Sequence, residues 1–360
     1  MGATYDPRDI QVLEGLDAIR KRPAMFLGEV GDSRTLAACV VQCLCALVHG
    51  GARRLIVSVE DDRAFEIVGE EALLSTDLRS VETEFGRISF GGRWVCSRRL
   101  MVPDGIPAVT NALCASFEVA VVAEGACARA SWRRGRFDTS SRSDATDAPN
   151  VVRVRAALDR DLFGPEGALV TAELDELLDD LAVLAAGVRI HRLDARDGTT
   201  REFHAPHGLV DRVAARGVRD PLRLRTEQED GGVLEVVFGW AGDGVTHVDA
   251  WNAGCDGITS VALGESLLAA LADVLLPPPR HRPFDRGPHA ALGANLTRGL
   301  VAAIAVDTPK SSLAHVELPT GQILKPALAP YLLARPALLA QLARQIGESP
   351  DALAARLSSD

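Results

Sequence analysis

The run Asp32-Ser-Arg-Thr-Leu-Ala-Ala-Cys-Val-Val-Gln-Cys-Leu-Cys-Ala-Leu-Val-His-Gly-Gly-Ala-Arg-Arg-Leu-Ile-Val57 sets the frame for the rest of the chain. From Leu36 to Val48 every residue except Gln42 is apolar, so a helix here has no polar face to give to water. That pattern describes a helix buried in a core. Asp32 or Ser33 can cap it, and His49-Gly50-Gly51 ends it, which predicts a helix from about Thr35 to Val48. Leu55 to Val59 and Ala64 to Val68 then read as strands joined at Asp61-Asp62.

Downstream, residues 70 to 107 read as irregular. Two strands between Phe117 and Trp132 meet at Glu124-Gly125, and Ser140 to Asn150 reads as a surface loop. Val151 to Ala156 alternates as a strand. Thr171 starts an amphipathic helix through Ala186, followed by strands Val188 to Leu193 and Thr200 to His204 about an Asp197-Gly198 turn. A second domain opens with strands Leu222 to Arg225, Leu234 to Gly239 and Thr246 to Asn252. It continues with a helix from Val261 to Leu276, a break at Pro277-Pro-Pro279 and a strand from Leu300 to Val306. Two further helices open on Pro336 and Pro350, residues suited to a first helical position.

The 360 residues allow two domains with separate cores, at a net charge of −10. Lys21, Lys310 and Lys325 are the only lysines among 39 basic residues, an arginine bias expected of a GC-rich, actinobacteria-like coding sequence. The acidic balance disfavours stable DNA binding, which needs a basic face. No run of about eighteen apolar residues and no signal segment is seen, so the expectation is a cytoplasmic protein with no membrane partner. The seven cysteines lie in apolar runs. Cys39, Cys43 and Cys45 lack a following histidine at finger spacing and read as buried thiols, with no metal site expected.

The stretch Tyr5-Asp-Pro-Arg-Asp-Ile-Gln-Val-Leu-Glu-Gly-Leu-Asp-Ala-Ile-Arg-Lys-Arg-Pro-Ala-Met-Phe-Leu-Gly28 resembles the N-terminal arm of DNA gyrase B. Weaker matches follow in the order that family has them: Gly50 to Val57, Val109-Thr-Asn-Ala-Leu113, Trp251-Asn252 with Asp256-Gly257, Arg298-Gly-Leu-Val301, and Ala329 to Pro336. The resemblance implies an α+β chain: an arm (1–28), a GHKL (Bergerat-type) ATPase-like α/β sandwich (29–218), a ribosomal S5-like transducer domain (219–345) and a C-terminal helix (346–360). It ends before the acidic metal-binding module of gyrase B, so no DNA cleavage is expected of this chain.

The resemblance also implies which groups should bind and hydrolyse ATP, and several have been replaced. Alignment through Gly50 to Val57 puts Ala38 where the family's general base stands and Gln42 where its Mg²⁺-ligating Asn stands. Alanine cannot accept a proton, and Mg²⁺ tolerates little error in its octahedral shell. Gln42 reads either as a ligand or as a satisfied core amide. Glu70 and Glu71 follow the strand where an adenine-binding Asp is expected, or are solvated loop acids. In place of the glycine-rich lid stands Leu100-Met-Val-Pro-Asp-Gly-Ile-Pro107, whose Pro103 and Pro107 lack N–H donors and whose Asp104 repels phosphate. His315 stands where the second domain normally sends a lysine to the terminal phosphate. Arg129 matches an Arg that aminocoumarins contact in the family, or is an exposed strand arginine.

Two functional readings result. In the first, the chain is a pseudo-ATPase with ATP and Mg²⁺ binding lost, acting as a homodimer or binding a small molecule or a gyrase subunit, in regulation or antibiotic resistance. Its dimer contacts would be Tyr5, Ile10, Leu13, Leu16 and Ile19 of the arm. In the second, the cavity serves a biosynthetic enzyme acting on a small organic substrate, with His49, Glu70, Glu71, Asp104, Asn111 and Arg129 as pocket groups beside Gln42. A residual ATPase is the third reading, since several separate groups would have to be supplied from elsewhere.

Overall fold

The structure is a computed structural model that describes residues 16–27, 32–72, 74–87, 107–144, 149–227, 233–242, 244–252, 260–276, 295–307 and 323–359. The chain forms two compact units, Met1–His204 and Ala205–Asp360. No helix among the described residues is long and apolar enough to cross a membrane.

The first unit is built on strands β1 (Arg54–Val59), β2 (Ala64–Glu70), β3 (Cys114–Ala123), β4 (Ala126–Arg133), β5 (Arg136–Asp144), β6 (Val151–Leu158), β7 (Arg189–Asp194) and β8 (Thr200–His204). They form one sheet in the order β5-β4-β3-β6-β2-β1-β7-β8. β1 and β7 run parallel, and the other neighbours are antiparallel. Local chemistry sets the turns. Asp61 Oδ1 accepts from the N–H groups of Arg63 and Ala64, both at 2.7 Å, closing the β1–β2 connection. At the β3–β4 turn Glu124 and Gly125 both have positive φ, 52° and 74°, the requirement of the hairpin turn that matches strand twist.

The helices of this unit are α1 (Asp17–Lys21), α2 (Ala24–Leu27), α3 (Ser33–His49), α4 (Leu78–Gly86), α5 (Pro107–Leu113), α6 (Arg160–Phe163) and α7 (Thr171–Leu184). Asp32 caps α3 by accepting from the N–H of Arg34 at 3.0 Å. α3 packs between α5 and α7 and against β2 and β6, over the sheet face that carries Leu55, Val57, Ile67 and Val154, all fully buried. Among the described residues the opposite face lies open. A buried ion-pair cluster ties α7 to the sheet: Arg192, 4% exposed, donates to both oxygens of Asp175 at 2.9 and 3.2 Å, and Arg201 adds a third bond at 3.1 Å. Breaking a buried pair of this kind costs far more than breaking an exposed one.

Two parts of this unit differ from the sequence expectation. α4 lies inside the stretch that reads as irregular; Asp77 caps it and only Val81 and Phe85 are buried, so its apolar signal is two residues. Ser140 to Asp144 belongs to β5, an edge strand with almost every residue exposed, and such a strand has no alternation to read.

The second unit contains α8 (Leu209–Ala215), strands β9 (Leu222–Glu227), β10 (Val233–Trp240), β11 (His247–Asn252) and β12 (Leu300–Asp307), and helices α9 (Ser260–Leu275), α10 (Lys325–Leu333), α11 (Pro336–Ile346) and α12 (Pro350–Ser358). Its sheet order is β11-β12-β10-β9, with β11 parallel to β12 and α9 lying between them in the chain. The sequence places a domain end near 218, whereas the compact units part at His204 and Ala205. α8 goes with the second unit because Val218, just after it, packs on Gly239 of β10, where an added Cβ would lie 2.4 Å from Val218 Cγ1. α12 is likewise part of this unit, with Leu353 and Leu357 buried in its core.

Candidate functional site

α3 carries Ala38 and Gln42 one turn apart on one face, Ala38 partly exposed and Gln42 inside the core. Gln42 is fully buried. Its Oε1 accepts from the Thr110 hydroxyl at 2.8 Å, and the same hydroxyl lies 3.0 Å from the carbonyl of Cys39, while Nε2 has no partner among the described residues. One hydroxyl proton cannot serve two acceptors fully. Turning the amide over makes a continuous run in which Nε2–H donates to Thr110 and Thr110 donates to Cys39, so both acceptors near the hydroxyl are served. In either orientation one atom of the amide is tied to Thr110 between α3 and α5, and the other has no partner among the described residues. α3 itself contains no Asp or Glu from end to end. Burial also lifts Cys39 to about 12 and raises Cys43 and Cys114, so these thiols stay protonated at neutral pH.

Asn111, the neighbour of Thr110, is fully buried, and its Nδ2 donates to the carbonyl of Phe85 at 2.8 Å. It thereby ties α5 to the last turn of α4, a packing role. His49 ends α3 partly buried, and desolvation pushes its imidazole below the usual range, towards the neutral form.

Glu70 and Glu71 are not brought to this helix face. Glu70 ends β2 opposite Arg54 and lies 3.7 Å from its guanidinium. Glu71 is exposed, takes a positive φ of 64°, and donates its backbone N–H to the carbonyl of Asn150 at 3.1 Å. Arg129 also lies elsewhere: it points from β4 to the open face, 61% exposed and 3.7 Å from Glu118. It shares that face with Glu118, Arg153 and Arg155, a group absent from the sequence-read candidates although Val152-Arg-Val-Arg155 alternates with period two. Thr110, the partner of Gln42, is absent from them as well; no sequence signal pairs residues so far apart. Asp104 and His315 lie outside the described residues.

The arm residues divide. Leu16 and Ile19 are buried against their own chain, at 3% and 0% exposure, so they need no second copy of the chain to cover them. Arg20 anchors α1 through Asp159 and the carbonyl of Ala112, and Asp17 takes a 3.1 Å bond from Arg136. Tyr5, Ile10 and Leu13 lie outside the described residues.

No family model matches the chain. It is 26% identical over 248 residues to the DNA gyrase B of Enterococcus faecalis, a match spanning 63% of this chain and 38% of that protein. The DNA gyrase B of Streptococcus pyogenes serotype M3 is equally similar, 26% over 246 residues, covering 64% of this chain and 38% of that one. The match thus spans well under half the length of these relatives. Among solved structures, the 43K ATPase domain of Thermus thermophilus gyrase B, in complex with an aminocoumarin, superposes with a TM-score of 0.67 at 19% identity over 95% of both chains. Gyrase B from Myxococcus xanthus gives 0.62 at 22% identity, over 95% of this chain and 99% of that one. With the sequence kinship and the shared architecture together, the chain is a gyrase B-like protein with an α+β GHKL fold.

Proposed function

We propose that this gyrase B-like protein has lost ATP hydrolysis and acts by binding a partner or a small ligand. One observation carries the reading. The helix expected to present a water-activating carboxylate and a Mg²⁺ ligand presents Ala38 and an amide, Gln42, that Thr110 occupies inside the core. A general base must reach the proton it abstracts, and a methyl group offers no acceptor. Mg²⁺ keeps several waters in a near-ideal octahedral shell, and Gln42, fully buried between α3 and α5, leaves no room for that hydrated shell. The residues present therefore do not fit the metal or the hydrolytic step.

Calorimetric titration with ATP and Mg²⁺, together with a phosphate-release assay, is the test. The expected outcome is no saturable binding at micromolar nucleotide and no release above background. Micromolar saturable binding overturns the reading.

Homodimerisation belongs to the same proposal, in a revised form. With Leu16 and Ile19 covered by their own chain, the apolar residues left to an interface are those nearer the N-terminus, Ile10 and Leu13, with Tyr5. Light scattering on the full chain is expected to give a dimer mass that becomes monomeric in the double variant Ile10→Asp/Leu13→Asp. A monomer in both refutes it.

A further inference from the structure

The open face of the first sheet carries an arrangement separate from the α3 groups. In the register of β4, β3 and β6, Arg129 stands opposite Ala120, and Ala120 stands opposite Arg153. Two guanidinium side chains thus flank a methyl group from strands about 10 Å apart. The small residue makes a floor, and Ala120 is only 8% exposed because its neighbours rise around it. The next cross-strand row is Cys127, Val122 and Val151, an apolar wall; the row on the other side brings Glu118 and Arg155. Together they enclose a depression of about 330 Å³, at the lower end of the range of small-molecule sites, roughly 300–1,000 Å³.

The charged groups leave donors unspent. Glu66 bonds tightly to Arg155 and lies 3.6 Å from Arg153, and Glu118 lies 3.7 Å from Arg129. Both of the longer pairs exceed hydrogen-bonding distance, and among the described residues neither Arg129 nor Arg153 donates a side-chain hydrogen bond. Three carboxylates, Glu66, Glu118 and Glu60, lie around the three guanidiniums, so what the depression offers is unspent N–H donors rather than net positive charge. Planar guanidinium groups with free N–H edges are suited to bidentate recognition of an oxyanion. The apolar row beside them offers a seat for a hydrocarbon body.

We propose that Arg129 and Arg153, across Ala120, form a binding site for a small amphiphilic anion, an oxyanion headgroup carried on one flat apolar body. The site lies on the sheet face opposite α3, so it stands or falls independently of the loss of ATP hydrolysis.

Isothermal titration of the full chain at low salt, with phenyl phosphate and with benzoate as probes, tests it. At least one probe is expected to saturate at or below about 1 mM, and inorganic phosphate, lacking the apolar body, is expected to bind more weakly than phenyl phosphate. Whichever probe binds more tightly identifies the headgroup as phosphate ester or carboxylate. Arg129→Gln and Arg153→Gln are each expected to weaken binding about tenfold, and Ala120→Leu to block it by filling the floor. Glu118→Gln removes the carboxylate that competes with the ligand for Arg129 and is expected to tighten binding several-fold, a gain that misfolding cannot produce. No saturation of either probe by about 10 mM, or binding unchanged in both arginine variants, overturns the proposal.

Discussion

On one face of the eight-stranded sheet Leu55, Val57, Ile67 and Val154 are sealed under helices, and the polar groups found there, Gln42, Thr110, Asp175 and Arg192, are bonded to one another or to backbone. One residue further along the same strands, Ile56, Glu66, Arg153 and Arg155 sit on the open face, where the two guanidiniums are about half exposed and Glu66 holds Arg155 closely and Arg153 loosely. In a GHKL fold the covered face is where nucleotide chemistry is expected, yet here it has the character of a core. The open side carries exposed charged groups, Arg129, Arg153 and Arg155 among them. The difference teaches that strand alternation lets one sequence give the two faces of a sheet opposite chemistry, because successive side chains point to opposite sides.

The largest expected effect tests that contrast through matched arginines. Arg192→Ala leaves the buried carboxylate of Asp175 with the half-exposed Arg201 as its remaining cation and is expected to cost about 3 kcal/mol. Arg155→Ala, on the open face, removes an exposed partner of Glu66 and is expected to cost about 1 kcal/mol or less. Urea unfolding of both variants measures the difference. Comparable losses would break the distinction between the two faces.

An intermediate effect concerns pH. The Arg196 guanidinium bonds Asp194 at 2.9 and 2.7 Å and, with Thr171 donating at 2.6 Å, holds that buried carboxyl far below the usual range against the opposing effect of desolvation. A depressed carboxylate stabilises the fold above its unfolded pKa, about 3.9, and that contribution is lost as pH falls below this value towards the folded one. Asp194→Asn is therefore expected to be less stable than the parent at pH 7, with the gap narrowing by pH 3. Urea midpoints at the two pH values check it; a constant gap would place the stabilisation elsewhere.

Much of this architecture is legible in the sequence wherever an element is both buried and periodic. α3, β1, β10 and β12 stand within a residue or two of their sequence-read spans because their apolar runs are long and their caps are ordinary. β5 reads in part as loop because exposure removes the alternation, and α4 reads as irregular because two buried residues are too few to define a period. The site is less legible for a different reason. Ala38 and Gln42 can be named from the resemblance, but the commitment of Gln42 depends on Thr110, 68 residues away. Likewise Arg129 can be named, but its face follows from the register of β4 on β3, which no single strand reveals.

The smallest expected effect is the sharpest test of the covered face. Gln42→Leu keeps the volume of the side chain roughly constant and removes an amide whose second polar atom has no partner among the described residues. Thr110 keeps an acceptor, since the carbonyl of Cys39 lies 3.0 Å away, so no buried hydroxyl is orphaned by the change. Replacing a half-satisfied polar group by a shape-matched apolar one is close to neutral, and the expected shift in unfolding free energy is within about 1 kcal/mol of zero. The companion change Thr110→Val deletes the hydroxyl while leaving the Gln42 amide buried with neither partner, and it is expected to cost about 1–3 kcal/mol. If Gln42 were instead held for a ligand, Gln42→Leu would leave the melting of the free protein unchanged but abolish a nucleotide-induced rise in Tm. A parent protein whose Tm does not respond to ATP and Mg²⁺, paired with a near-neutral Gln42→Leu and a costly Thr110→Val, marks the amide as part of the core.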